Sequence, residues 1–209
     1  SLGDAQAQVP ATGPEAGWTD VEIATSRTET PGWRDWPAAP QWQADPMNLF
    51  VVIETGDGHI SLVDGDRFDV IHRFASHAEL AGSPGFTPDG RYLFLASRDG
   101  WITKYDLWNL NVAAAVRAGI DTRGIAVSGD GRWIMAANAV PRTAVLFDTE
   151  LKPVHTYPAR TLDGRLSSRV SAVYDARSRK SFVVTLEDIP ELWEISYDPE
   201  APPIYDGLV

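Results

Sequence analysis

Residues 88–106 read PDGRYLFLASRDGWITKYD, and this stretch decides the fold class. A Pro-Asp-Gly turn signal is followed by the apolar run Tyr92–Ala96, which is typical of a buried strand. A second turn, Arg98-Asp99-Gly100, leads into Trp101–Asp106, where polar and apolar residues alternate as in the partner strand of a hairpin. The stretch therefore predicts an antiparallel hairpin that is bounded by tight turns.

The same pattern recurs along the chain at a fixed spacing. Asp64, Asp106 and Asp148 each close a predicted hairpin strand, at intervals of 42 residues. Asp89 and Asp130 open equivalent hairpins 41 residues apart. Repeats of this length, each with about four short strands, are characteristic of β-propeller blades. The equal spacing makes an ordinary β-sandwich the weaker alternative.

Residues 46–209 are therefore predicted to be all-β, with about four propeller blades. The third hairpin is predicted to turn at Asn138–Pro141, and a looser fourth copy runs from Val170 to Tyr197. A four-bladed ring is tight, so we expect these blades to be half of a larger propeller. The final segment, Pro202–Val209, has the character of a further strand. Open strand edges invite pairing, so we expect a homo-oligomer or a complementing half-propeller chain.

Residues 1–45 have a different composition, with seven acidic and two basic residues. Their apolar positions follow neither helical nor strand periodicity, so the segment up to about Thr30 is predicted to be a flexible acidic leader. Trp33, Trp36 and Trp42 follow within a few residues of one another. Such large apolar surfaces are costly to leave in water, so this tryptophan-rich part is expected to dock on the blades.

Composition excludes several classes of function. The net charge of −11 disfavours nucleic acid as a partner, because an acidic chain repels phosphate backbones. Without cysteine, the chain has neither thiolate metal ligands nor a Cys-x-x-Cys-His motif for covalent haem attachment. No apolar run approaches the roughly 20 residues of a membrane span. Asp57, Asp64 and Asp66 lack the spacing of a calcium-binding loop, so no metal site is predicted.

Several long segments resemble one known family. They are Phe86–Tyr92 and Ala96–Leu110, together with Ala118–Arg123, Ser167–Tyr174, Glu187–Ile195 and Pro203–Val209. The first two resemble the d1 domain family of cytochrome cd1, and the others resemble its NirF-type haem d1 biosynthesis proteins in particular. The resemblance covers about residues 48–209. It implies the first half of an eight-bladed, periplasmic propeller that holds haem d1 or its precursor near the central axis.

Two arginines are the first candidates for binding this cofactor. The resemblance implies that Arg98 and Arg123 contact the carboxylates of haem d1, and a guanidinium fork suits bidentate pairing with a carboxylate. Both residues follow a strand or turn at equivalent ends of neighbouring blades, so they are expected to converge. The alternative is that each stabilises its own turn, Arg98 with Asp99 and Arg123 with Asp121.

Three further residues are weaker candidates. Arg169 lies in a NirF-like segment but has several basic neighbours, and Arg142 stands where relatives carry a histidine. His77 is a candidate iron ligand, because imidazole is the usual axial ligand of such haems. The resemblance places the ligand histidine just before Gly82, where this chain has Ala81. Two other positions depart from the family pattern in the same way: Ala139 replaces a tyrosine, and Glu187 replaces a lysine.

These observations favour a haem d1-binding protein that acts in late haem d1 biosynthesis for nitrite reductase. Its partners would be the tetrapyrrole and other assembly or nitrite reductase proteins. Any enzymatic activity would be at most an oxidoreductase-type modification of a precursor, and no catalytic residue is assigned. The departures at Ala81, Ala139 and Glu187 favour the alternative, a diverged propeller without cofactor chemistry that serves as a protein-binding subunit.

Overall fold

The computed structural model describes residues 18–77 and 79–200. Strands dominate, with one short α-helix and 3₁₀ turns at Trp33–Asp35, Pro46–Asn48 and Arg177–Arg179. In chain order the helix and strands are α1 (Asp20–Ser26), β1 (Thr28–Glu29), β2 (Leu49–Glu54), β3 (His59–Asp64), β4 (Val70–Ala75), β5 (Gly85–Phe86), β6 (Tyr92–Ala96), β7 (Trp101–Asp106), β8 (Asn111–Arg117), β9 (Asp121–Val127), β10 (Trp133–Val140), β11 (Thr143–Asp148), β12 (Pro153–Pro158), β13 (Val170–Ala176), β14 (Ser181–Leu186) and β15 (Leu192–Ser196).

The strands form four antiparallel sheets, which are numbered here as blades I to IV along the chain. Blade I has the order β2-β3-β4, and blade II has the order β1-β8-β7-β6-β5. Blade III has the order β12-β11-β10-β9, and blade IV has the order β13-β14-β15. The prediction of an all-β fold with about four blades is confirmed. No helix in the described part of the chain is long and apolar enough to span a membrane.

The 42-residue spacing arises from one local interaction that repeats in three blades. The Asp64 carboxylate accepts hydrogen bonds from the backbone N–H groups of Asp66 and Arg67, at 2.9 and 3.3 Å. Asp106 accepts from Trp108 and Asn109 at 2.9 and 3.2 Å. An aspartate that satisfies the backbone two residues ahead closes the chain into a tight turn. Asp148 does the same for the N–H groups of Glu150 and Lys152.

Neighbouring blades pack through three apolar clusters. Blades I and II meet through residues that include Leu62, Leu93 and Tyr105. Blades II and III share the largest cluster, in which Phe94 and Phe147 are completely buried. Blades III and IV meet through Met135, Phe182, Val184 and their neighbours. The core is therefore a series of interfaces between blades, as the strand alternation predicts.

The prediction of a flexible leader is wrong for residues 19–30. Thr19 and Glu22 form a capping box that starts α1, and Ile23 is completely buried in the cluster between blades II and III. β1 then pairs with β8 and extends blade II by one strand. One buried side chain leaves almost no periodicity in a helix of seven residues, so the pattern did not reveal it. The first 17 residues and Pro202–Val209 lie outside the described residues.

The tryptophan-rich segment covers a buried lysine. Trp33 is 4% exposed, and its ring lies 4.2 Å from the Lys104 ammonium, which also lies 3.9 Å from the ring of Tyr92. Lys104 donates a hydrogen bond of 2.7 Å to the backbone carbonyl of Thr149 in blade III. Burial lowers the pKa of Lys104 to about 8, against the opposing effect of nearby carboxylates such as Glu150. Aromatic faces and a carbonyl thus replace the water around this charge.

The prediction that the third hairpin turns at Asn138–Pro141 is right in part, because the last residue pair between β10 and β11 is Asn138 with Thr143. β10 continues to Val140, and its pairing with β9 shifts register twice over the last residues. A β-bulge keeps β10 paired past the point where regular alternation ends. The sequence pattern therefore placed the end of this strand three residues too early.

We predict that Ile23→Ala lowers the free energy of unfolding by about 2–4 kcal/mol, because it opens a cavity in a completely buried site. Val21→Ala in the same helix is the matched control, since Val21 is 73% exposed and should change stability little. Chemical denaturation of both variants checks this. Equal effects would mean that α1 does not dock on the blades.

We predict that Lys104 makes the protein more stable as pH rises from 8 to 9.5. The unfolded chain keeps its lysine protonated up to about pH 10.4. The folded chain releases the proton near pH 8, so the unfolded state binds more protons in this window. Stability should therefore rise by about 1.5 kcal/mol across it. The rise should vanish in Lys104→Met, measured by denaturant unfolding at each pH, and equal slopes in the two proteins would contradict it.

Candidate functional site

One end of the blades gathers the candidate residues, and we call it the loop face. It is formed by the turns between β6 and β7, β10 and β11, and β14 and β15, and by the connections that lead from one blade to the next. Backbone hydrogen bonds join its loops: Arg98 N–H donates to the Glu79 carbonyl at 2.8 Å, and Thr122 N–H donates to the Arg98 carbonyl at 3.2 Å. The candidate residues on the loop face are His77, Arg98, Arg123, Arg142 and Arg169.

Arg98 lies in the turn between β6 and β7 and points its charge into solvent. Its side chain is 52% exposed, and the nearest carboxylate oxygen, on Glu79, is 3.9 Å from its Nε. The expected partner Asp99 instead accepts a hydrogen bond from Ser97 Oγ at 2.7 Å. Because an exposed ion pair at this distance contributes little, Arg98 is available to bind an anion.

Arg123 is the extra residue of a β-bulge in blade III. The β9–β10 ladder pairs Gly124 with Ala137 and then Thr122 with Asn138, so Arg123 faces no partner in the ladder. Such a bulge redirects one side chain out of the regular alternation. The bulge is defined by the pairing of β9 with β10. The sequence pattern of β9 alone therefore cannot show that Arg123 leaves the regular alternation.

The guanidinium of Arg123 is only partly satisfied. Its Nη2 lies 3.0 Å from the Asp121 carboxylate, which is the turn pairing that the alternative interpretation expects. Its Nε is buried and has no hydrogen-bond partner among the described residues. A buried donor without a partner is costly, and a native structure keeps one where a ligand or water completes it. Arg123 is therefore the candidate whose geometry points most directly to a missing acceptor.

Arg142 and Arg169 are engaged by the protein itself. Arg142 Nη1 donates to the carbonyl and hydroxyl oxygens of Ser167, at 2.9 and 2.8 Å. Arg169 forms a forked pair with Asp188, with its Nη2 at 2.7 Å, and a second ion pair with Glu187 at 3.1 Å. The Arg169 guanidinium lowers the pKa of Asp188 well below its usual range. These contacts hold the loop before β13 and the turn between β14 and β15, so both residues have a structural role on the loop face.

His77 and the three departures from the family pattern lie in distinct surroundings. The imidazole of exposed His77 stacks on Trp101, with ring centroids 4.8 Å apart and planes 7° apart. Ala81 is 5% exposed and belongs to the core between blades II and III, and Ala139 is 1% exposed on β10. Glu187 is exposed and pairs with Arg169. Ala81 and Ala139 are thus packed positions, whereas His77 and Glu187 face solvent on the loop face.

Arg98 and Arg123 give the loop face positive charge. Arg98 is exposed in blade II, and Arg123 is half-buried in the adjacent blade III. The backbone N–H of Thr122 donates a hydrogen bond to the Arg98 carbonyl, which joins the two blades here. The unpartnered Nε of Arg123 is the observation that this structure itself supplies, and a carboxylate oxygen is the acceptor that a guanidinium prefers.

Comparison with known proteins identifies relatives of this chain. A family model described as "Cytochrome D1 heme domain" matches residues 44–205. The chain is 50% identical to the dihydro-heme d1 dehydrogenase of Pseudomonas aeruginosa, over 88% of this chain and 37% of that protein. It is 34% identical to protein NirF of the same organism, over 70% of this chain and 38% of NirF. The NirF-type assignment is therefore not the best match, because identity to the dehydrogenase is higher and covers more of the chain.

A solved structure supports the fold. The dihydro-heme d1 dehydrogenase NirN in complex with DHE superposes with a TM-score of 0.86 and 49% identity, over 92% of this chain and 41% of that one. The chain spans less than half the length of these relatives. The match to the family covers most of the chain and agrees with the four antiparallel blades. The chain therefore belongs to the cytochrome D1 haem domain family.

Proposed function

We propose that this chain binds haem d1 or its dihydro precursor on the loop face, as part of a protein of haem d1 biosynthesis. The observation that carries the proposal is the buried Nε of Arg123, which has no partner among the described residues. Membership of the haem domain family supplies the class of ligand, and the relative of known structure was solved in complex with DHE.

The relatives favour a dehydrogenase-type domain over a NirF-type one. Identity to the dihydro-heme d1 dehydrogenase is 50%, against 34% to NirF. Haem d1 and its dihydro form are accordingly both proposed ligands, bound in late haem d1 assembly in the periplasm. Redox chemistry would belong to the bound macrocycle, and the protein would position it.

Arg98 and Arg123 have different tasks in this proposal. Arg98 is exposed and only weakly paired with Glu79, so its guanidinium would bind a carboxylate at the edge of the ligand. Arg123 is held on its bulge and pairs through Nη2 with Asp121, so the exposed part of its guanidinium is what would meet the ligand. Arg142 and Arg169 keep the loops beside them in place through Ser167 and Asp188.

We predict that the double variant Arg98→Ala, Arg123→Ala weakens binding of haem d1 by at least about 100-fold, since each of the two charged hydrogen bonds lost costs roughly 1.5 kcal/mol or more. Titration of the purified chain with haem d1, followed by visible absorption, measures this. Arg123→Lys should recover little of the loss, because an ammonium keeps the charge but not the fork.

The matched control is Arg132→Ala. Arg132 lies in the turn between β9 and β10, at the opposite end of blade III from the loop face, and is exposed. It should bind haem d1 like the parent. A folded parent that shows no saturable spectral change would overturn the proposal and favour the alternative, a protein-binding propeller without cofactor. Equal weakening by Arg132→Ala would show that only net charge matters.

A further inference from the structure

A buried polar cluster lies directly behind Arg123. Asn138, on β10, accepts a hydrogen bond of 2.7 Å from Thr122 Oγ1 and donates one of 2.9 Å to the Ala118 carbonyl. Its amide also donates to Thr143 Oγ1 at 3.1 Å. Thr122 and Asn138 are completely buried, and Thr143 is 8% exposed. We call these three side chains the Asn138 cluster.

The Asn138 cluster joins the strands that surround the bulge. Thr122 precedes Arg123 on β9, Thr143 begins β11, and Ala118 follows β8 of the neighbouring blade. Asn138 sits between the two register shifts of the β9–β10 ladder. Backbone pairing is interrupted at this point, so the side-chain hydrogen bonds take over the task of fixing the two strands.

The backbone of Arg123 is also confined from blade II. Gly82 has a positive φ of 70°, and a Cβ there would lie 2.9 Å from the Cα of Gly124 and 3.2 Å from the Arg123 carbonyl. Only glycine permits the connection between β4 and β5 to approach β9 this closely. Arg123 is thus held between the Asn138 cluster on one side and the Gly82 backbone on the other.

A buried cluster of three polar side chains is costly unless something requires it. Apolar side chains would fill the same space between β9, β10 and β11 without the desolvation penalty. A satisfied polar cluster instead fixes one geometry, because each hydrogen bond admits a narrow range of positions. The geometry that it fixes here is that of the bulge.

We propose that the Asn138 cluster is the positioning device for Arg123, which holds the bulge so that the partly exposed guanidinium is presented to a ligand carboxylate. Thr122 and Asn138 act through Arg123 and do not touch the ligand themselves. This inference rests on the proposed function, because it assigns the ligand contact to Arg123. Its first consequence, an immobilised Arg123 side chain, holds without any ligand.

The ligand-free test compares two substitutions of Thr122. Thr122→Val keeps the shape of the side chain and removes the hydroxyl, whereas Thr122→Ser keeps the hydroxyl. The readout is the ¹H–¹⁵N heteronuclear NOE of the Arg123 Nε–H at pH 6, assigned by its absence in Arg123→Ala. We expect a high NOE in the parent and in Thr122→Ser, and a clearly lower one in Thr122→Val. An unchanged NOE in Thr122→Val would overturn the proposal.

The second readout is titration with haem d1. Thr122→Val should weaken binding roughly tenfold, and Thr122→Ser should bind like the parent. In the Arg123→Ala background, Thr122→Val should cause no further loss, since a positioning residue has nothing left to position. Equal losses in both backgrounds would mean a merely structural role for Thr122 and would overturn the proposal.

The control is Ser128→Ala, which removes a buried hydroxyl at the opposite end of β9. Ser128 Oγ donates to Asp130 and accepts from the N–H of Trp133 at 3.0 Å, so its loss should cost comparable stability. It should leave the Arg123 NOE and haem d1 affinity unchanged. If Thr122→Val does not fold, Thr143→Val takes its place in both experiments, with the same expected results.

The outcomes separate this proposal from the function on which it rests. A parent that fails to bind haem d1 but shows the hydroxyl-dependent NOE sinks the proposed function and leaves Arg123 as a positioned group. A parent that binds haem d1 with an affinity unaffected by Thr122→Val sinks the positioning role and leaves the proposed function standing.

Discussion

The aspartate-capped turn is the interaction on which the rest of the structure depends. Asp64, Asp106 and Asp148 each end a strand and use one carboxylate oxygen to satisfy the backbone of the turn that follows. Each turn fixes where the next strand begins and so sets the blade length. With that length fixed, strands of neighbouring blades start at the same end, and their connecting loops collect on one face. The loop face is thus a consequence of turns at the far end of the blades.

This dependence explains what could be predicted from the sequence. The strands Tyr92–Ala96 and Trp101–Asp106 have the predicted bounds, because their turn residues and alternation are local signals. The position of Arg98 in a turn followed from the same signals. Helix α1 did not, because its stability comes from burying Ile23 against distant blades.

The sequence also could not show which arginines already have hydrogen-bond partners in the folded protein. The partners of Arg169 and Arg142 lie 19 and 25 residues away in sequence, so only the folded chain shows that these guanidiniums are occupied. The bulge at Arg123 needs two strands to define it. Sequence and resemblance selected residue types that suit a carboxylate ligand. The fold alone distinguishes Arg98 and Arg123, which keep donors available, from the two that hold the scaffold together.

The Arg123 site combines three features that each oppose stability. A bulge gives up ladder hydrogen bonds, a buried cluster of polar side chains costs desolvation, and a buried Nε–H lacks an acceptor. An inner strand with regular pairing and an apolar core would avoid all three. Sequences that break local rules at one place, and support the break with a satisfied network, do so where function sets the geometry. The convergence of these costs on one arginine, beside the exposed Arg98, is the physical argument behind the proposed binding site on the loop face.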